Sequence, residues 1–194
     1  MPREFGKGEP FPLQNTHGRN RPRSVTIPSD VPGNGSRVEM TMPLVTFVCS
    51  ANFYRSRFAE YLFNHLASEM GTAWHADSRG LRVGHWGDVG ALSHFTVDGL
   101  RARGVPVEDN PRYPQQLALT DLVHSNLVVA VKEVEHRAMM EELFPDWVDA
   151  VEYWDVDDID CAPPDEALAY LEQRVRSLIL RLQQEDVAGR KDVA

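Results

Sequence analysis

From Leu44 onward, the spacing of apolar positions switches repeatedly between two rhythms. Residues 44–48 form a short, unbroken apolar run, the pattern of a strand buried on both faces. Phe58, Tyr61, Leu62, His65 and Leu66 then recur at three and four residues, which predicts an amphipathic helix. The same exchange of periods continues down the chain. Residues 74–78 read as a strand, 92–103 as a helix closed by Gly104, and 127–131 as a strand. Residues 133–144 predict a helix stopped by Pro145, and 150–154 a further strand. A last helix begins after Pro163-Pro164, with Leu168, Leu171, Val175, Leu178 and Leu182 along one stripe. Strands alternating with helices predict an α/β fold of three layers, a central four-stranded parallel sheet with helices on both faces.

The first 42 residues break this pattern. They hold six of the thirteen prolines and five of the thirteen glycines, with few large apolar side chains. Such a segment cannot bury enough surface to offset its ordering entropy, so residues 1–42 read as a flexible extension, with 38–42 extended as the body begins. Residues 43–187 read as the folded domain and 188–194 as a C-terminal tail. Charge divides the same way. The chain carries −9, and the first 42 residues contain six basic and four acidic side chains, leaving −11 for the remainder. An acidic body is a poor partner for nucleic acid, whose affinity depends on cations that neutralise phosphates. No apolar stretch reaches the length of a membrane span, and the N-terminus lacks the apolar core of a secretion signal. Two cysteines, Cys49 and Cys161, make no disulfide framework and fit a reducing compartment. We therefore expect a cytoplasmic protein without membrane contact.

Candidate chemistry concentrates where the first strand meets the first helix. The strand ends on Cys49, a short loop follows, and Arg55 and Ser56 open the helix. A thiol is an effective nucleophile only as its thiolate, and unpaired N–H groups at a helix N-terminus together with a guanidinium favour that form. Those N–H groups, curled between residues 50 and 55, make a nest suited to phosphate. Arg55 offers a planar fork that grips two oxygens at once. The Ser56 hydroxyl is placed to hydrogen-bond the sulfur. The competing reading is a buried, inert strand-end cysteine. The strand before the loop and the helix after it favour the nucleophile, a reading that collapses if Cys49 is buried with Arg55 pointing elsewhere.

At these residues the chain resembles the low-molecular-weight protein tyrosine phosphatase family, which also includes arsenate reductases. The similarity runs from about residue 44 to the last helix. Members carry a C-x-x-N-x-x-R-S loop, matched by Cys49, Asn52, Arg55 and Ser56. Asparagine also suits the left-handed backbone that so tight a loop demands. Residues 76–81, with Ser78, resemble the strand end that supports the loop in the family. Residues 153–158 resemble its late acidic loop, where an aspartate is the general acid. The resemblance implies a phosphate loop after the first strand, with Ser50, Ala51, Asn52, Phe53, Tyr54, Arg55 and Ser56 as phosphate-binding residues. It implies Cys49, Arg55 and Asp158 as catalytic residues, and neither metal nor cofactor. Asp158 fills the position of the family's acid, with Asp155, Asp157 and Asp160 as neighbouring candidates.

Several positions depart from the family pattern. Ile159 replaces the proline after the acid, and Asp160 and Cys161 replace the aromatic residues that grip a phenyl ring. Arg57 replaces a proline, Tyr54 a second cysteine, Ala51 a glycine, and Arg112 a supporting histidine. The resulting expectation is a phosphomonoester hydrolase, a protein tyrosine phosphatase working through a phosphocysteine, acting on a phosphorylated protein or a small aryl phosphate. Phe53 suits an aryl leaving group, whereas relatives acting on phosphoarginine prefer threonine there. Two alternatives remain: an inactive relative that binds phosphate or a partner, and an arsenate reductase using a small external thiol. Among the seven histidines none shows metal-ligand spacing; His65 reads as packed core and His136 as surface. Trp86 either lines the site's mouth or sits in a loose loop, and Cys161 reads as an unpaired surface thiol.

Overall fold

The computed structural model describes residues 42–191, so the expected N-terminal extension lies outside the described residues except for Met42. The order is β1 (Leu44–Cys49), α1 (Arg55–Glu69), β2 (His75–Gly80), α2 (His94–Arg101), α3 (Leu119–His124), β3 (Leu127–Ala130), α4 (Glu133–Leu143), a 3-10 turn (Pro145–Ala150), β4 (Glu152–Tyr153) and α5 (Pro164–Lys191). The four strands are parallel, in the order β2-β1-β3-β4. β1 therefore occupies a central position, with Cys49 level with Gly80 and Val48 level with Ala130.

Side-chain alternation along β1 assigns its residues to two cores. Val45, Phe47 and Cys49 face one core, with Phe58, Leu62 and Phe63 of α1 and Leu168, Leu171, Val175 and Leu178 of α5. Val48 faces the other, with Leu122 of α3, Met140 of α4, Val148 and Val151. Both faces of the sheet are thus covered, which is why the two central strands, β1 and β3, read as apolar runs, whereas the edge strand β2 alternates buried and half-buried residues. Aromatic side chains fill the first core: Phe47 meets Phe63 edge to face and tilts against Trp154.

Three elements differ from the expected pattern. α3 has only six residues, too few to display a helical period. Local chemistry starts it, with the Asp121 carboxylate accepting the Ala118 N–H at 2.8 Å. β4 spans two residues instead of 150–154, because the 3-10 turn consumes Ala150 and pairing with β3 covers only Glu152 and Tyr153. α5 continues to Lys191, beyond the boundary expected at 187.

Candidate active site

In an open parallel sheet, ligands bind beyond the carboxyl ends of the strands. β1 brings Cys49 to that edge, the chain turns through residues 50–54, and α1 begins at Arg55. Asn52 adopts φ 53°, the left-handed conformation expected of it. The loop's carbonyls are tied outward: Cys49 O accepts from Leu81 N–H, Ser50 O from Arg82, Phe53 O from Ser93, and Tyr54 O from Phe58. Among the described residues no protein acceptor takes the N–H groups of residues 50–54. Gly80 lets β2 come close to this loop, since a Cβ there would lie 2.9 Å from Asn52 N.

Asn52 is the hub of the loop. Its buried amide donates to Ser56 Oγ at 3.1 Å and Ser78 Oγ at 2.8 Å, while its oxygen accepts from Arg112 and from the Gln115 N–H, both at 2.9 Å. All four of its hydrogen-bonding sites are filled. Because Ser56 Oγ accepts from Asn52, its own proton is available to Cys49 Sγ, 3.0 Å away. Arg112, a departure from the family pattern, is therefore a working support of the loop. It also donates to Glu60, Asp77 and Ser78 O. Arg57, another departure, is fully buried and donates to Arg112 O at 2.8 Å. The two unusual arginines belong to one scaffold. Burial pushes the Glu60 carboxyl upward, although Arg112, the Ser78 hydrogen bond and Arg57 oppose it.

Cys49 and Arg55 are less open than their sequence suggested, with 3% and 1% exposure, but the guanidinium stays near enough to the sulfur for the Cys49 charge to stabilise it. A guanidinium so deeply buried needs acceptors for its N–H groups. Nη1 donates to Glu135 Oε1 at 3.3 Å and Val156 O at 3.1 Å; Nη2 donates to Glu135 Oε2 at 2.9 Å and Asp158 Oδ2 at 2.5 Å. Burial acts to lower the Arg55 pKa, but the Glu135 hydrogen bond and the charges of Cys49, Asp158 and Glu135 outweigh it and raise it. Four of the five N–H groups are engaged, which leaves the one on Nε.

Of the four candidate acids, only Asp158 contacts Arg55. Lys132 Nζ holds Asp155 and Asp157, each at 2.5 Å, and those two hydrogen bonds raise its pKa to about 12. Asp160 lies exposed. The structure thus brings together Cys49, Arg55, Ser56 and Asp158, residues from opposite ends of the domain.

Glu135 and His136 were not anticipated. His136, expected at the surface, is fully buried, and its Nε2 lies 3.2 Å from Ser50 Oγ. Burial, reinforced by the Arg55 charge, lowers its pKa to about 3. The available signal was position, since both begin the helix that follows β3 at the ligand-binding edge. His65, expected in the core, is half-buried and lies 3.4 Å from Glu69. Trp86 is exposed and stacks edge-on against His85. Cys161 is an exposed free thiol.

A family model described as low molecular weight phosphotyrosine protein phosphatase matches residues 44–188. Solved structures share the fold. A low molecular weight protein tyrosine phosphatase from T. tengcongensis is 25% identical, covering 74% of this chain and 99% of its own, with a TM-score of 0.60. YfkJ from Bacillus subtilis is 24% identical, covering 76% and 98%, with a TM-score of 0.62. The YwlE arginine phosphatase from Geobacillus stearothermophilus is 20% identical, covering 75% and 96%, with a TM-score of 0.62. No curated protein matches the chain.

Proposed function

Because the chain belongs to the low molecular weight phosphotyrosine protein phosphatase family, we propose that it is a cysteine-dependent protein tyrosine phosphatase working through a phosphocysteine. One observation carries this reading: Arg55, at the end of the Cys49 loop, contacts the Asp158 carboxylate from 103 positions away. Nucleophile, oxyanion clamp and proton donor thereby share one strand edge.

The chemistry follows from those positions. A phosphate monoester enters the loop and accepts from the free amides, from Arg55 Nε–H, and from the Nη2 proton that Asp158 now takes. Asp158, released from the guanidinium, moves toward the leaving oxygen and takes up a proton from solvent, so that it faces the ester as the carboxylic acid while Cys49 is the thiolate. Cys49 Sγ attacks phosphorus, the ester P–O bond breaks, and Asp158 gives its proton to the departing oxygen. Water then attacks the phosphocysteine and yields its proton to the Asp158 carboxylate. The S–P bond breaks, returning inorganic phosphate and a thiolate that the Ser56 hydroxyl stabilises. The Ser50–Ser56 segment holds the phosphate throughout. Phe53, half-buried in the loop, favours an aryl ester over phosphoarginine. The substrate is a phosphorylated protein, with small aryl phosphates as surrogates. A free, exposed Cys161 fits a cytoplasmic setting.

The test is hydrolysis of para-nitrophenyl phosphate, phenyl phosphate and phosphoarginine. Cys49→Ser is expected to abolish turnover. Asp158→Asn should slow phenyl phosphate by about a hundredfold and para-nitrophenyl phosphate much less, because a good leaving group needs no proton. Wild-type turnover no faster than that of Cys49→Ser sinks the hydrolase reading. Vanadate binding without turnover identifies an inactive oxyanion-binding relative, and preference for phosphoarginine overturns the tyrosine assignment.

A further inference from the structure

We propose that Glu135 and His136 are positioning residues that hold Arg55 and Ser50, the two ends of the phosphate loop, from the first turn of α4. The proposal rests on the phosphatase reading of the loop but concerns residues which that chemistry leaves unused. Glu135 meets the Arg55 guanidinium end-on with both oxygens, at 3.3 and 2.9 Å. Two parallel hydrogen bonds fix the plane of a guanidinium as well as its place. With Val156 O on Nη1, they leave Nε–H and one Nη2 proton directed elsewhere.

His136 secures the other end. Its Nδ1 accepts the Lys132 N–H at 3.0 Å, so in the neutral ring the proton sits on Nε2. That Nε2–H faces Ser50 Oγ at 3.2 Å. The Ser50 hydroxyl then directs its own proton to Glu135 Oε2, a longer contact of 3.5 Å. A continuous path therefore runs from the Lys132 backbone through His136, Ser50 and Glu135 to Arg55. The ring is fully buried and the Glu135 side chain only 30% exposed, so lost partners in this path are not readily replaced by water. Neither residue needs to touch the ester; each acts through a loop residue that does.

Substitutions separate positioning from a purely structural role. In a correctly folded protein, Glu135→Ala should lower kcat/KM for para-nitrophenyl phosphate by about ten- to a hundredfold, since small displacements at a reacting centre are costly. Orthovanadate affinity should weaken with it, because Arg55 released by Glu135 turns further onto Asp158. Glu135→Gln keeps one acceptor and should fall between Glu135→Ala and wild type, whereas a role through charge alone would make the two variants equal. His136→Ala should lower kcat/KM by about tenfold, and His136→Gln, whose amide N–H reaches Ser50, should restore much of it. In a Ser50→Ala background, His136→Ala should have no further effect. The proposal is overturned if Glu135→Ala stays within about twofold of wild type, or if Tm falls while kcat/KM per folded molecule holds. Should wild type not hydrolyse aryl phosphates, the phosphatase reading fails. Calorimetric vanadate binding then decides the positioning claim: weaker in Glu135→Ala sustains it, and unchanged affinity overturns it. Wild type that binds no vanadate overturns both.

Discussion

At the scale of single residues, the loop shows how one side chain's environment changes its role. A histidine among charged neighbours in sequence becomes, at His136, a neutral ring that burial and the Arg55 charge hold to a pKa of about 3. The unfolded chain binds a proton there near the ordinary value of about 6.5, so between those limits unfolding takes up a proton that the folded state refuses. The contribution to stability is complete above about pH 6.5 and is lost as pH falls toward about 3, with a slope of at most about 1.4 kcal/mol per pH unit. Urea unfolding midpoints between about pH 7 and pH 4.5 should fall less steeply for His136→Gln than for wild type. Equal slopes would mean that the ring is protonated in the fold. Other residues show the opposite case. The left-handed Asn52 and the Cys49–Ser56 contact were legible from local spacing, because turn chemistry and loop length decide them.

At the scale of elements, what matters is how the segment carrying Asp158, the proposed acid, is held against the sheet edge. Proline is absent after Asp158, with Ile159 in its place, so ring stiffness is not what fixes this segment. Lys132, between β3 and α4, holds Asp155 and Asp157 instead, and it forms a β-bridge with Asp155. Lys132→Met should release the segment, lower kcat for phenyl phosphate by about tenfold or less, and change KM little. The effect should be smaller for para-nitrophenyl phosphate, the signature of a misplaced acid. Unchanged phenyl phosphate turnover would show that the segment needs no such tether. The main elements could be read from sequence where they were long and periodic, as in α1, α4 and α5. α3 could not, because its start depends on one Asp121 cap.

At the scale of the molecule, α1 and α5 pack on one face of the sheet, and their shared core carries the strand that presents Cys49. Leu171 is fully buried there. Leu171→Ala should destabilise by about 2–5 kcal/mol in urea unfolding. Activity per folded molecule should persist, because Leu171 belongs to α5 and contributes no polar group to the site. A comparable loss of kcat/KM in the folded fraction would mean that core and site are mechanically coupled.

Local pattern alone determined the alternation of strands and helices, the parallel sheet, and the placing of a cysteine, an arginine and a serine where the first strand meets the first helix. Those features follow from periodicity and short-range backbone chemistry, which act over a few residues. Only the tertiary structure decided that Arg112 stands on Asn52, that Lys132 takes two aspartates and leaves Asp158 to Arg55, and that Glu135 and His136 face inward. Each of these choices depends on which distant charges converge when sheet and helices pack. Once a guanidinium is buried, the carboxylates within its reach become its partners, and no local rule states which they will be.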